Sequence, residues 1–295
     1  MGLLTEIMNR QSKKSASYKK IIHRQSEKIK KSIGPIKNSA KKNKSGWVKT
    51  GIVGFDSLLG KGIPKGSSLL LAGGAGSGKT IFSLETIYHA AINKEKCLYI
   101  SLEESEERLR KHMRDFGWDC SKLEKKGLLK IKRIYPFKIS RGVEALLSKA
   151  RGELRINLEH VDGMIPKGFK PDWIIVDSLT ALAAAFKDDE TSSYRLYIEQ
   201  LFRYFEKLGA TSFFISETEQ IPLKYSNSGV EEFLADGVVA MYAVRHGNLR
   251  ENAIEVIKLR GTKHEKKIVA MQIVDGKGIV VYPEQEIFSE IEVNK

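Results

Sequence analysis

The segment Gly73-Gly74-Ala75-Gly76-Ser77-Gly78-Lys79-Thr80 limits what this chain can fold into more than any other feature. It fits GxxxxGK[ST] in full. An apolar run, Ser67–Ala72, precedes it, and helically spaced Ile81, Leu84, Ile87 and Ala91 follow, which is the strand–loop–helix context the pattern requires. The glycines let backbone N–H groups turn inward and approach phosphates closely. Lys79 supplies a point charge to β- and γ-phosphates, and the Thr80 hydroxyl is placed to ligate Mg²⁺. The helix N-terminus adds the positive end of its dipole. A glycine-rich turn with no ligand is the alternative reading, and the completeness of the motif and its context speak against it.

The rest of the chain extends that start into an α/β fold. Cys97–Leu102, Leu129–Ile134, Trp173–Val176 and Thr211–Ile215 read as strands. Helical patterns at about 104–116, Val143–Leu158 and Tyr194–Leu208 lie between them. Such alternation implies a mostly parallel sheet with helices on both faces. After Gly237 the rhythm changes: Val238–Arg245, Ala253–Leu259, Ile268–Val274 and Ile279–Tyr282 read as strands without intervening helices, with turn residues at Asp275-Gly276 and Gly278. These are expected to extend the same sheet as antiparallel hairpins. No linker divides 47–295.

The formal net charge of +14 belongs mainly to the start of the chain. Residues 1–46 hold thirteen Lys and Arg against Glu6 and Glu27, a net +11, and lack a sustained apolar face beyond Leu3, Leu4, Ile7 and Met8. They read as a solvated, disordered basic arm. The sharper reading is an arm that contacts nucleic acid or an anionic membrane surface. Tyr18 is its one base-stacking ring, which does not support sequence-specific recognition of single strands. Residues 47–295 carry only about +3 and form the expected second unit. Two cysteines, Cys97 and Cys120, exclude a disulfide framework and make a reducing cytoplasm the simplest compartment. No apolar run approaches the roughly 20 residues of a membrane span, and the N-terminus does not read as a signal peptide.

Three further positions carry chemistry. In Asp172-Trp173-Ile174-Ile175-Val176-Asp177-Ser178, four apolar residues run into Asp177. That carboxylate would emerge at the C-terminal edge of the sheet, where open parallel sheets bind ligands, and would make the second contact to Mg²⁺. The competing role is a cap on the following turn. Glu103-Glu104 ends the strand Cys97–Leu102, and the spacing leaves two readings open: orientation of an attacking water, or helix N-terminal acids like Glu106 and Glu107. Adjacent strand residues point to opposite sides, so one of the two is expected to face the γ-phosphate.

With these residues in place, the chain resembles the KaiC-type ATPases of the RecA superfamily, over about 47–285. It is more similar to single-module members than to the two-module clock protein. The lead-in Thr50-Gly51-Ile52-Val53-Gly54-Phe55-Asp56-Ser57-Leu58-Leu59-Gly60-Lys61-Gly62-Ile63-Pro64-Lys65-Gly66 matches the family's, and Asp177-Ser178-Leu179-Thr180 is similar to its metal-binding strand end. The resemblance implies a RecA-like P-loop fold, with ATP and Mg²⁺ as ligands. It also implies that Glu103 and Glu104 are the catalytic pair, and that Ser216-Glu217 lies at the γ-phosphate sensor position. Val230–Val239 resembles the approach to a later strand. Lys258-Leu259-Arg260-Gly261-Thr262-Lys263-His264 resembles the segment that reaches a neighbour's ATP in ring-shaped members. By that likeness Lys258 and Arg260 act in trans on phosphate charge, and His264 lines the neighbour's nucleotide. From the residues alone, Lys258 and Arg260 would read as a solvated strand face.

The chain also departs from the family. Glu232-Phe233 stands where autophosphorylating members carry a Ser-Thr pair, so the likeness is to the plain ATPase ring and not the autokinase one. The basic arm lies outside the family core, and no helix-hairpin-helix domain of the recombinase relatives is present. The leading expectation is a Mg²⁺-dependent ATPase that works as a homo-oligomeric switch, with a hexameric ring as one form. The alternatives are a DNA-binding recombinase relative that uses the arm, and a non-hydrolysing nucleotide-sensing scaffold. The protein partner is not specified by the sequence.

Overall fold

The computed structural model describes residues 46–149, 163–186, 191–222, 224–226, 228–246 and 249–287. The expected basic arm therefore lies outside the described residues, apart from Gly46. In chain order the elements begin with β1 (Trp47–Val48), α1 (Phe55–Leu58), β2 (Ile63–Pro64), β3 (Ser68–Gly73), α2 (Lys79–Ile92), β4 (Cys97–Ser101) and α3 (Glu106–Asp115). Next come α4 (Cys120–Lys125), β5 (Leu129–Arg133), α5 (Pro136–Lys149), β6 (Trp173–Asp177), α6 (Leu179–Ala183), α7 (Thr191–Leu208) and β7 (Thr211–Glu217). The chain closes with α8 (Val230–Leu234), β8 (Gly237–His246), β9 (Leu249–Leu259), β10 (Val269–Val274) and β11 (Gly278–Glu286).

Among the described residues nine strands form one sheet in the order β11-β10-β9-β8-β3-β7-β6-β4-β5. From β8 to β5 all neighbours are parallel, and β8 through β11 are antiparallel hairpin neighbours, as the change of rhythm after Gly237 predicts. The parallel strands β3, β4 and β6 are buried along their length, as strands covered by helices on both faces must be. Their alternate residues divide between two cores. Leu69, Leu71, Tyr99, Trp173, Ile175 and Phe213 pack against α1 through α4. Leu70, Leu98, Ile100, Ile174, Val176 and Phe214 pack against α5 through α7.

Boundaries differ from expectation where local chemistry outranks apolar periodicity. The helix expected at Val143–Leu158 starts instead at Pro136, a residue suited to a first helical turn, and the far part of that expectation, 150–158, lies outside the described residues. The helix expected at about 104–116 starts after Ser105, whose hydroxyl accepts from the Arg108 N–H. β9 begins at Leu249, not Ala253, because β8 pairs with it as far as His246↔Leu249. The lead-in does more than turn into β3. The Asp56 carboxylate accepts from the Thr50 and Gly51 N–H groups, and Val281 N–H donates to the Val53 carbonyl, so the lead-in is laid against β11.

Candidate active site

The phosphate loop joins β3 to α2. Gly76 and Gly78 have φ of 76° and 99°, the left-handed region where a side chain is strained, so the loop can only be built with glycine there. At Gly73 a Cβ would come within 2.4 Å of the Met241 carbonyl oxygen. Lys79 is 7% exposed, and its Nζ donates to the Gly73 and Gly74 carbonyls at 2.8 and 3.0 Å. Burial pulls its ammonium below the ordinary value, and the charges of Glu217, Asp177 and Glu103 oppose that pull.

Parallel pairing brings the other acids to the same edge. Ser101↔Asp177 is the last pair of β4 and β6, so the Glu pair just beyond β4 and the carboxylate ending β6 emerge side by side. Asp177 is 6% exposed, and its Oδ2 accepts from the Thr80 hydroxyl at 3.2 Å and from the Tyr99 hydroxyl. Burial raises its pKa to about 6; the Tyr99 hydrogen bond works against this, and the Glu103 charge adds to it. The two glutamates have different partners. Glu103 accepts from the Ser178 hydroxyl, next to Asp177. Glu104 turns to α3, where Arg108 Nε and His112 Nε2 each lie 3.1 Å from its Oε2.

Ser216 and Glu217 pair with Ala72 and Gly73, which places them beside the loop. The Glu217 N–H donates to the Thr180 hydroxyl at 2.8 Å, and Gln220 Nε2 donates to the Ala75 carbonyl at 3.3 Å. The sequence reading missed Gln220 and Tyr99. Gln220 carries no local signal. Tyr99 carries one, a phenol inside an otherwise apolar strand that must find a polar partner.

Lys258 and Arg260 lie elsewhere. Lys258 pairs with Val238, which is level with Leu70 of β3, whereas the phosphate loop leaves β3 at Gly73. The two cations therefore sit toward the opposite edge of the sheet from their own chain's phosphate loop. Lys258 Nζ donates to the Glu232 carbonyl at 2.8 Å, and Arg260 donates to the Phe233 carbonyl at 3.1 Å, both on α8. Burial, and then the neighbouring Arg260, lower the Lys258 pKa. The His264 ring nitrogens are buried and have no hydrogen-bond partner among the described residues.

The oxygen set fits Mg²⁺. A threonine hydroxyl and one carboxylate lie 3.2 Å apart, and among the described residues no group of three His, Cys, Asp or Glu forms a separate metal cage. Mg²⁺ commonly binds in this way, through one or two protein oxygens together with substrate phosphates.

The family model for KaiC ATPases matches residues 48–286. A UPF0273 protein of Pyrococcus furiosus is 32% identical over 240 residues, covering 81% of this chain and 94% of that protein. The circadian clock protein KaiC3 of Synechocystis is 32% identical over 236 residues, 80% of this chain. The chain spans about 45% of the length of that clock protein. Among solved structures, a KaiC-like protein of Pyrococcus horikoshii matches with a TM-score of 0.65 and 30% identity, over 80% of this chain and 99% of that one. No helix among the described residues is long and apolar enough to cross a membrane.

Proposed function

The chain belongs to the KaiC family of ATPases and has its RecA-like fold, and from that premise we propose that it binds ATP with Mg²⁺ and hydrolyses it, as a homo-oligomer whose subunit contacts respond to the nucleotide. One observation carries the reading: Lys79, Thr80, Asp177 and Glu103 meet at the C-terminal ends of β3, β6 and β4. Residues 47–295 constitute the ATPase unit and 1–46 a basic arm attached to it.

In this reading Lys79 leaves the Gly73 and Gly74 carbonyls and turns to the β- and γ-phosphates, where its charge offsets that of the transferring group. Thr80 and Asp177 would hold Mg²⁺, whose charge would help to offset that of the phosphates. Glu103 orients the water for in-line attack and takes its proton. Its carboxylate already sits beside Ser178 and Asp177, whereas that of Glu104 is engaged by Arg108 and His112. Ser216 and Glu217 flank the loop and register the γ-phosphate.

Lys258 and Arg260 act on a neighbouring subunit. Their position toward the far edge of the sheet, away from their own phosphate loop, supports this reading. Phe233, 78% exposed on α8 beside them, supports an apolar contact at that junction. It also leaves no acceptor hydroxyl at the place where autophosphorylating members carry a Ser-Thr pair.

Steady-state ATP hydrolysis tests the proposal. The full chain is expected to turn over ATP only with Mg²⁺, with activity per subunit that falls on dilution, and Lys79→Ala abolishes it. Unchanged turnover in Lys79→Ala refutes the assignment, and concentration-independent turnover by a monomer removes the trans roles. The same assay on a 47–295 truncation, with and without DNA, shows whether the arm couples hydrolysis to nucleic acid. Tight nucleotide binding without turnover would make the protein a scaffold.

A further inference from the structure

We propose that Tyr99 is a positioning residue for the metal-side carboxylate, its hydroxyl holding Asp177 in the orientation that Mg²⁺·nucleotide binding uses. The inference rests on the reading of Asp177 as the carboxylate that faces Mg²⁺.

Tyr99 lies in the middle of β4 with no exposed surface, and its ring packs in the core that contains Phe82, Trp173 and Phe213. A phenylalanine would fill that space equally well. The hydroxyl is the part that needs explaining, because a phenol sealed in an apolar core costs stability unless it is hydrogen-bonded. Its partner is Asp177 Oδ2, and pairing explains the contact. Tyr99 is opposite Ile175 on β6, and Asp177 is two residues further along on the same face, within diagonal reach of a long side chain.

The same Oδ2 accepts from Thr80. The carboxylate is thus held by one hydroxyl from the phosphate loop and one from the core. The Thr80 oxygen faces the metal position, so its bond to Asp177 shifts with the ligand. Tyr99 is fixed in a packed strand and does not shift. Two anchors on one oxygen fix the rotation of the carboxylate and direct Oδ1 away from both. Without the phenol, the buried carboxylate has only the mobile anchor.

The test uses the full chain and a fluorescent ATP analogue, titrated in EDTA and then with Mg²⁺ at fixed nucleotide. Tyr99→Phe is expected to raise the Mg²⁺ concentration for half-saturation about tenfold, about 1.4 kcal/mol. Affinity in EDTA stays unchanged, and kcat at saturating Mg²⁺ stays within about twofold. Tyr99→Met, which also lacks the hydroxyl, should show the same loss. A purely structural role predicts a lower melting temperature and an unaltered Mg²⁺ titration, and that result overturns the proposal. Failure of both variants to fold overturns it too, since the hydroxyl would then serve the core alone. If the wild-type chain binds nucleotide without regard to Mg²⁺, the reading of Asp177 fails and the proposal goes with it. Mg²⁺-dependent wild-type binding with an unmoved Tyr99→Phe removes the role of Tyr99 only.

Discussion

Replacing Asp177 by Asn separates the stability of this fold from its chemistry. Burial raises the Asp177 pKa from the ordinary 3.8 to about 6, so the folded chain holds a proton there that the unfolded chain has released. For a carboxylate shifted in this direction, stability is greatest below about pH 4. It falls as pH rises toward 6 and then levels off, because the native state binds more protons across that window. A shift of roughly 2 units corresponds to about 3 kcal/mol. Asn cannot ionise, and its amide oxygen can still accept from Tyr99 and Thr80. Urea unfolding in EDTA at pH 4 and pH 7.5 should therefore show the wild type losing about 3 kcal/mol relative to Asp177→Asn, with the variant the more stable protein at pH 7.5. With Mg²⁺ and ATP well above saturation at pH 7.5 the order should reverse, because the wild type gains more binding free energy than the variant. Parallel pH dependences for the two proteins in EDTA would refute the reasoning, for Asp177 would then not be the group that titrates.

Four other substitutions probe the site and the frame around it. Glu103→Gln should lower kcat by at least about 100-fold with little change in nucleotide affinity, measured by single-turnover hydrolysis and binding. Glu104→Gln, which loosens contacts to Arg108 and His112, should lower kcat far less and shift stability by less than about 1 kcal/mol; equal losses of kcat would show that both glutamates face the water. Gly54→Ala should cost more than about 2 kcal/mol in urea unfolding, since its φ is 81° and a Cβ would meet the Val281 carbonyl oxygen at 2.0 Å. Gly117→Ala has a similar φ of 78° but nothing within 4 Å, so it should cost only about 1 kcal/mol and calibrates the backbone share of the loss at Gly54.

What the sequence determined alone is what short-range pattern encodes. The phosphate loop is a run of eight residues whose glycines, lysine and threonine each have one geometric task. The apolar runs ending in Asp177 and in Glu103-Glu104 mark strands that deliver charge to one edge. The change from alternating strands and helices to bare strands after Gly237 was also legible, because it is a change of local period. The start of α5 at Pro136 and the length of β9 were not, since a helix-start residue and a partner strand decided them in place of periodicity.

The tertiary structure decided everything that depends on which strands are neighbours. Glu103 and Glu104 are equivalent as letters. They differ because Ser178 beyond β6 takes one and Arg108 and His112 of α3 take the other. Lys258 and Arg260 look like any charged strand until antiparallel pairing with β8 puts them toward the far edge from Lys79. Tyr99 reaches Asp177 across 78 residues of chain, through a register that no local pattern records. Apart from the local Glu104 contacts to α3, each of these is fixed by cross-strand pairing, which links residues far apart in sequence through backbone hydrogen bonds. The chain therefore announces its phosphate chemistry locally, and its fold selects which side chains surround that chemistry.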